Sequence, residues 1–429
     1  QKEKKIFFTT MGQFCGLAKD RNRDKILERQ RPVFDAIEKG DMQAMHQCLQ
    51  DMKNENEEKK EGTKDTSESF VNWTNKEGKT PVLVACEYAR MNMLRYFHSP
   101  LNASLCVSDK FGNNAFHVAC MSGHLQVVKW LLETRNDSKW KSKNPDSLDW
   151  QSRHPKNQVL NSRGETPLHL AASSNSRDAS KVVNWLLTPT RVRANEIHYV
   201  KHISMTHKEV VSIDQIRTEQ TFSGRNKALD QLVSGDRIEI RGEGNDCNWY
   251  AGIAMQFQDR ASSSNSSNRK TSMKRRHVVV RYARASRFPL DAVDKEENSV
   301  LHCACKGGTC SLRLGFDAYE THSLTHSYLT GNVNVLQIIV NAYTKYHMSL
   351  EPLNSRGRTP LHVAAACGHT KIVRMLMDLE YVDITKKSRD EGLTAEEIAR
   401  NEGHKDCTEN LRLALARRFY KEPRLGTVC

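Results

Sequence analysis

The sequence predicts a mainly α solenoid of about seven helix–turn–helix repeats, interrupted by a small β-rich insertion. Three observations carry this. A pattern of turn, short helix, Gly-containing turn and second helix recurs along the chain, most completely at Asn354–Arg374. Its spacing is regular, with Gly78 and Gly112 standing 34 positions apart. The pattern then stops between Arg191 and Ala292, where alternating β-branched residues replace it.

In Asn354–Arg374, Thr359 can cap a helix through its hydroxyl, and Pro360 fits the first helical position, where its missing N–H costs nothing. Leu361, Ala364 and Ala365 make a narrow apolar face that lets a neighbouring helix approach. Gly368 ends the first helix, and Ile372, Val373, Leu376 and Met377 mark the second at helical spacing. This segment resembles the ankyrin repeat, whose signature includes Thr-Pro-Leu-His-x-Ala at a period of about 33.

The other repeats follow in order. Pro32–Gln50 reads as a degenerate first repeat, with Phe34, Ala36 and Ile37 on one face and Met45 and Leu49 on the next. Terminal repeats are atypical because one side meets water. Met52–Ser69 is charged and nearly free of large apolar residues, which predicts a solvated loop. Pro81-Val82-Leu83-Val84-Ala85 opens the second repeat and Ala115-Phe116-His117-Val118-Ala119 the third, backed by Val127, Val128, Leu131 and Leu132. After a polar insertion near 134–158, Thr166-Pro167-Leu168-His169-Leu170-Ala171 opens the fourth, with Val182, Val183, Leu186 and Leu187 behind it. The pattern resumes at Asp294, and Ser299-Val300-Leu301-His302-Cys303-Ala304 opens the fifth; its second helix follows an insertion near 308–330. The seventh repeat carries Glu396 and Glu397 at apolar repeat positions, which predicts a solvent-facing C-terminal cap.

Between the two sets, strands are expected at Glu196–Ile203, Glu209–Ile213, Arg237–Arg241, Trp249–Phe257 and His277–Tyr282. Gly235-Asp236-Arg237-Ile238-Glu239-Ile240, Trp249-Tyr250-Ala251-Gly252 and Val278-Val279-Val280-Arg281-Tyr282 resemble the small SH3-like barrels of the Tudor and Agenet kind. The expected organisation is an ankyrin-repeat solenoid interrupted by a small SH3-like β-barrel. A flexible N-terminus covers 1–31 and ankyrin repeats 32–190; a β-rich linker covers 191–233 and the SH3-like insertion 234–293. Ankyrin repeats return over 294–416 and a basic tail covers 417–429.

At 429 residues the chain has room for two or three domains. Its formal net charge of +14 favours an anionic partner without choosing among nucleic acid, acidic tails and lipid headgroups. The 12 cysteines are scattered, many at small-residue repeat positions, and read as reduced thiols of an intracellular protein, cytoplasmic or nuclear. No apolar run reaches the length a spanning helix needs. Ten residues precede Met11; with Met11 as the start, Gly12 and Cys15 are acylation candidates and peripheral membrane attachment follows, although Gly16 stands where Ser or Thr is usual.

The ankyrin resemblance implies a protein partner held by turn tips and inner helices. Tip candidates are Lys76, Lys79, Lys110, Asn113, Arg163, Glu165, Arg356 and Arg358. His117, His169, His302 and His362 recur at one repeat position, which predicts hydrogen bonds between neighbouring turns rather than catalysis or metal binding. Cys303, Cys305 and Cys310 do not read as a zinc knuckle, because Cys-x-Cys on a helix points its two thiols to different faces. The Tudor resemblance implies an aromatic cage for a methylated side chain, with Trp249, Tyr250, Tyr282 and Phe288 as candidates. The alternative is that Trp249 and Tyr250 pack the small barrel. Arg269, Lys270, Lys274, Arg275, Arg276, Arg281, Arg284 and Arg287 lie between Ala261 and Leu290 with no Asp or Glu among them. They form a candidate patch for phosphates, or a solvated basic loop.

The chain has no Gly-x-Ser-x-Gly, no phosphate-cradling loop with Lys and no His-Glu-x-x-His. The expectation is a non-catalytic intracellular adaptor or scaffold without cofactor or metal. The alternatives are a chromatin or nucleic-acid reader acting through the basic insertion, and a scaffold tethered to a membrane through its N-terminus.

Overall fold

A computed structural model describes residues 24–58, 70–99, 101–136, 159–200, 203–205, 208–212, 215–218, 234–242, 248–259, 276–307, 332–379 and 381–419. Its helices pair in chain order into seven repeats. The first pairs 24–39 with Met42–Glu58, the second Pro81–Glu87 with Met91–His98, and the third Ala115–Ser122 with Leu125–Asn136. The fourth pairs Pro167–Ser173 with Ala179–Leu187, and the fifth Val300–Lys306 with Val333–Lys345. Pro360–Ala366 with Thr370–Met377, and Ala395–Asn401 with Lys405–Phe419, complete the array.

The first helices start where their sequence tells them to. Pro81, Pro167 and Pro360 take the first turn, and the side chains of Asn114, Thr166, Ser299 and Thr394 accept backbone N–H groups that no carbonyl of the helix can reach. Alanines such as Ala85, Ala119, Ala171, Ala304, Ala364 and Ala399 are buried, so successive first helices from repeat two to repeat seven pack in one row. The result is one apolar core running from Val33 to Leu411. Each fully buried side chain of the Leu168 or Phe116 kind contributes about 1.5–3 kcal/mol to it.

The insertion supplies strands β1 (Pro189–Arg191), β2 (Lys208–Ser212), β3 (Ile216–Thr218), β4 (Arg237–Arg241), β5 (Trp249–Asp259), β6 (Arg276–Tyr282) and β7 (Arg284–Ser286). Five of them form an antiparallel sheet in the order β2-β6-β5-β4-β3, and β1 pairs with β7. Among the described residues the edges β2 and β3 do not pair, so the sheet is open and a closed SH3-like barrel is not shown. With three residues, β3 offers little ladder on which such a barrel could close. Two of the sheet's strands come from 191–233, the segment expected as a linker.

The insertion leaves and re-enters the array at one place, where Pro189 pairs with Ser286. From there the chain is fastened to the repeats. Ser286 Oγ donates to the Phe288 carbonyl at 2.6 Å, and the Phe288 ring stacks on Phe116 with centroids 5.6 Å apart. Tyr343 Oη donates to the Leu290 carbonyl at 3.3 Å.

Three local expectations are corrected. Residues 52–58 continue the helix Met42–Glu58 instead of forming a loop, because Met52 packs against the core and Lys53 and Asn54 stay exposed; the remainder of the expected loop, 59–69, lies outside the described residues. Residues 196–199, expected to begin a strand, instead belong to the 3₁₀ helix Ala194–Tyr199, in which Arg193 and Glu196 pair three positions apart and Ile197 packs inward. Glu396 is buried rather than solvent-facing, with its carboxylate held by Arg400 at 2.6 Å, while Glu397 completes the cap with Thr394.

Candidate protein-interaction surface

The turns that precede repeats two to six project as fingers built on Asx turns. Asp109 Oδ1 accepts the N–H groups of Phe111 and Asn113, both at 2.8 Å, and Asn161 and Asn354 hold their fingers the same way. Gly112 at one tip has φ of 76°, and a Cβ there would meet the Ser162 amide at 2.7 Å. That close approach is used, because the tips hydrogen-bond to one another. Ser162 N–H donates to the Phe111 carbonyl at 2.8 Å, Lys295 to Arg163 at 2.9 Å and Ser355 to Glu296 at 2.9 Å. The fingers of repeats three to six are thus one hydrogen-bonded ribbon, and the insertion does not break it.

Beneath the ribbon the recurring histidines join neighbours. His117 Nε2 donates to the Glu165 carbonyl at 3.2 Å, His302 to Arg358 at 2.9 Å and His362 to Lys386 at 3.0 Å. The opposite nitrogen, Nδ1, accepts from the cap residue of its own helix. Burial pushes His117, His169 and His302 down to about 4, so these rings are neutral at physiological pH. Burial also pushes the Cys86, Cys120 and Cys305 thiols well up, which keeps them protonated and poor nucleophiles.

The eight tip candidates divide by burial. Lys76, Lys110 and Arg356 are exposed, Arg163 is half-buried, and Arg358 is half-buried and paired with Glu391. Lys79, Asn113 and Glu165 are buried and belong to the fold. Lys79 Nζ bonds Glu77 at 2.6 Å and Glu87 at 2.8 Å; Asn161 Nδ2 donates to Asn113 at 3.0 Å and to Glu165 at 2.7 Å. Their polar character faces their own neighbours, not a partner.

Sequence reasoning missed the apolar part of this surface. Leu160 is 47% exposed, Val293 52% and Leu353 41%. They occupy one repeat position, immediately before Asn161, Asp294 and Asn354, on the consecutive fingers of repeats four, five and six. Phe111, on the tip of repeat three, is exposed as well. The signal was present: an aliphatic residue before the finger's Asn or Asp in three repeats running.

The inserted module does not assemble the four aromatic candidates. Phe288 is in the core of the array, stacked on Phe116. Tyr282 is buried in the sheet with the Arg191 guanidinium 4.2 Å over its ring. Tyr250 shares that face of the sheet, whereas Trp249 points to the other, under the Arg217 guanidinium at 4.0 Å. The two cations on these rings come from the chain itself. Of the basic candidates, Arg269, Lys270, Lys274 and Arg275 lie outside the described residues, as do the side chain of Arg276 and both Gly12 and Cys15. Arg281, Arg284 and Arg287 are half-buried and form no ion pair among the described residues, and Arg287 lies 4.2 Å over the Trp185 ring.

The family model described as Ankyrin repeats (3 copies) matches residues 33–144, 104–198, 301–390 and 326–413, about two thirds of the chain. The chain belongs to the ankyrin-repeat family. The unmatched gap between the two ankyrin sets coincides with the insertion. No curated protein matches the chain. Ankyrin repeats serve protein–protein interaction, and no catalytic family is indicated. Among the described residues no helix is long and apolar enough to cross a membrane. What the ankyrin surface offers chemically is therefore recognition: a rigid backbone ribbon, a short apolar row and basic tips.

Proposed function

We propose that this ankyrin-repeat chain is a non-catalytic adaptor or scaffold that holds a protein partner along its fingers, with the row Leu160, Val293 and Leu353 as the central contact. The row carries the reading, because three aliphatic residues at one repeat position stand 41–52% exposed on consecutive fingers. Packed helices lie about 8–10 Å apart, and an extended segment advances about 3.3 Å per residue. An extended partner segment with an apolar residue at every third position stays in step with the row. Lys110, Lys295 and Arg356 beside it favour acidic residues between those anchors.

A photo-crosslinking residue placed at Val293 tests this against the same probe at Leu413, which is equally exposed on the last helix. A partner trapped at Val293 and not at Leu413 supports the reading, and equal trapping at both sites refutes it.

A second contact rests on Arg281, Arg284 and Arg287, three cations on one short stretch of chain that have no carboxylate partner among the described residues. They favour an anionic ligand such as nucleic acid phosphates. Binding of the full chain to single-stranded RNA should weaken steeply with salt, and less steeply once all three are replaced by Gln. Equal salt dependence in both proteins removes this contact.

A further inference from the structure

The junction between repeats four and five differs from its neighbours in a way that points to a ligand. At the junction of repeats three and four, Asn161 Nδ2 donates to Asn113 Oδ1 at 3.0 Å, and at that of repeats five and six Asn354 donates to Asn298 at 2.9 Å. The residue five positions after the last finger residue (Glu165 in repeat four, Arg358 in repeat six) is aliphatic in both cases, Leu170 and Val363. At the junction of repeats four and five the same three positions hold Glu165, Asp294 and Cys303. The donor between the two side chains is gone, two carboxylates face each other, and a thiol replaces the aliphatic group. One oxygen of each carboxylate and the sulfur lie within 4.8 Å of one another. Glu165 and Cys303 are buried and Asp294 is half-buried.

A second observation at this junction is independent of the acids. His169 is fully buried, yet among the described residues its Nε2 closes no hydrogen bond of the geometry that the equivalent nitrogens of His117, His302 and His362 make. It approaches the backbone of Asn298 and Ala292, on the finger that carries Asp294. Existing hydrogen bonds leave the carboxylates competent to ligate. Glu165 accepts from Asn161 at 2.7 Å; Asp294 accepts from the Glu296 and Asn298 amides at 2.8 Å and from Asn298 Nδ2 at 2.9 Å. Each carboxylate has about four lone-pair sites, so positions remain.

We propose that Glu165, Asp294 and Cys303 bind a divalent metal ion of the zinc type, and that the ion clips repeat four to repeat five. Two carboxylates and a thiolate suit a borderline-soft cation, with metal–oxygen and metal–sulfur distances of about 2.0–2.3 Å. Cys303 releases its proton to solvent on binding. The clip falls where the long insertion separates the two ankyrin sets, so it ties halves that the chain connects only through that insertion.

The test uses the full chain and two variants designed to fold. Glu165→Asn with Asp294→Asn recreates the Asn pair of the flanking junctions, and Cys303→Val recreates Val363. The wild type should bind one equivalent of Zn²⁺ more than the double variant in competition with a chromophoric chelator. Its Co²⁺ form should show a thiolate-to-cobalt charge-transfer band that Cys303→Val abolishes. Chelation should lower the Tm of the wild type and leave that of the double variant unchanged. Equal zinc stoichiometry and identical cobalt spectra in all three proteins overturn the proposal, and so does a wild-type Tm indifferent to zinc. Binding at other histidines and cysteines is common to all three and cancels.

Discussion

The Lys295 amide donates to the Arg163 carbonyl at 2.9 Å, joining two finger tips that the whole insertion separates in sequence. The same bond links Ser162 to Phe111 and Ser355 to Glu296, so the finger backbones of the fourth and fifth repeats join as those of their neighbours do. Their first helices also pack directly, and Asn332 Nδ2 reaches the Ser176 carbonyl at 3.2 Å between the two sets. The array is continuous in space where it is interrupted in sequence.

Continuity makes the insertion removable. Replacing 189–286 with a short flexible linker keeps Phe288 and Leu290 in the core and shortens a loop whose closure cost grows only slowly with length. The shortened chain should unfold in one transition and keep protected amides at Ser162, Lys295 and Ser355 in hydrogen exchange. Exchange at the unprotected rate at Lys295 would mean that the insertion holds the two sets together.

Glu297 stands where the neighbouring fingers have Gly112, Gly164 and Gly357, and it adopts φ of 58°. A side chain in that left-handed region costs about 1–2 kcal/mol. Glu297→Gly should therefore stabilise the chain by about 1 kcal/mol after the entropy of the added glycine is subtracted. Urea unfolding measures it, and a destabilised variant would show that the glutamate side chain makes a contact of greater value.

Acid should unfold the array through its histidines. Burial lowers His117, His169 and His302 from 6.5 to about 4, so between those values the folded state binds fewer protons than the unfolded one. Stability is fully present above pH 6.5 and is lost as pH falls towards 4. Between pH 7 and pH 5 each ring accounts for about 2 kcal/mol. Urea midpoints at the two pH values read the total, and His117→Gln should flatten the dependence. Equal midpoints at pH 7 and pH 5 would contradict the neutral, buried placement.

The repeats were legible because their signals are local: Pro360 at a helix start, Gly368 at a turn and Ile372, Val373 and Leu376 at helical spacing all lie within one short window. The sheet was less so. Strands Arg237–Arg241 and Trp249–Asp259 follow from alternation, but pairing β2 with β6 depends on residues far apart, and no local pattern states that. Phe288 reads as a barrel aromatic until its partner, Phe116, is known to lie in the third repeat. Glu165 and Asp294 are each ordinary finger residues, and only stacking across the insertion sets one carboxylate against the other. Exposure was the other hidden quantity: Leu160, Val293 and Leu353 share a position in the repeat, but an aliphatic side chain in a pattern of buried ones does not announce that it faces water.

The central claim is that the finger row binds a protein partner. The most direct measurement is the affinity of the partner trapped at Val293 for the wild type and for a chain carrying Leu160→Asp, Val293→Asp and Leu353→Asp. These are surface positions, so each substitution should change stability by at most about 0.5 kcal/mol. Each should weaken binding on the order of tenfold, about 1.4 kcal/mol. A triple variant that folds normally and binds as tightly as the wild type would contradict the account.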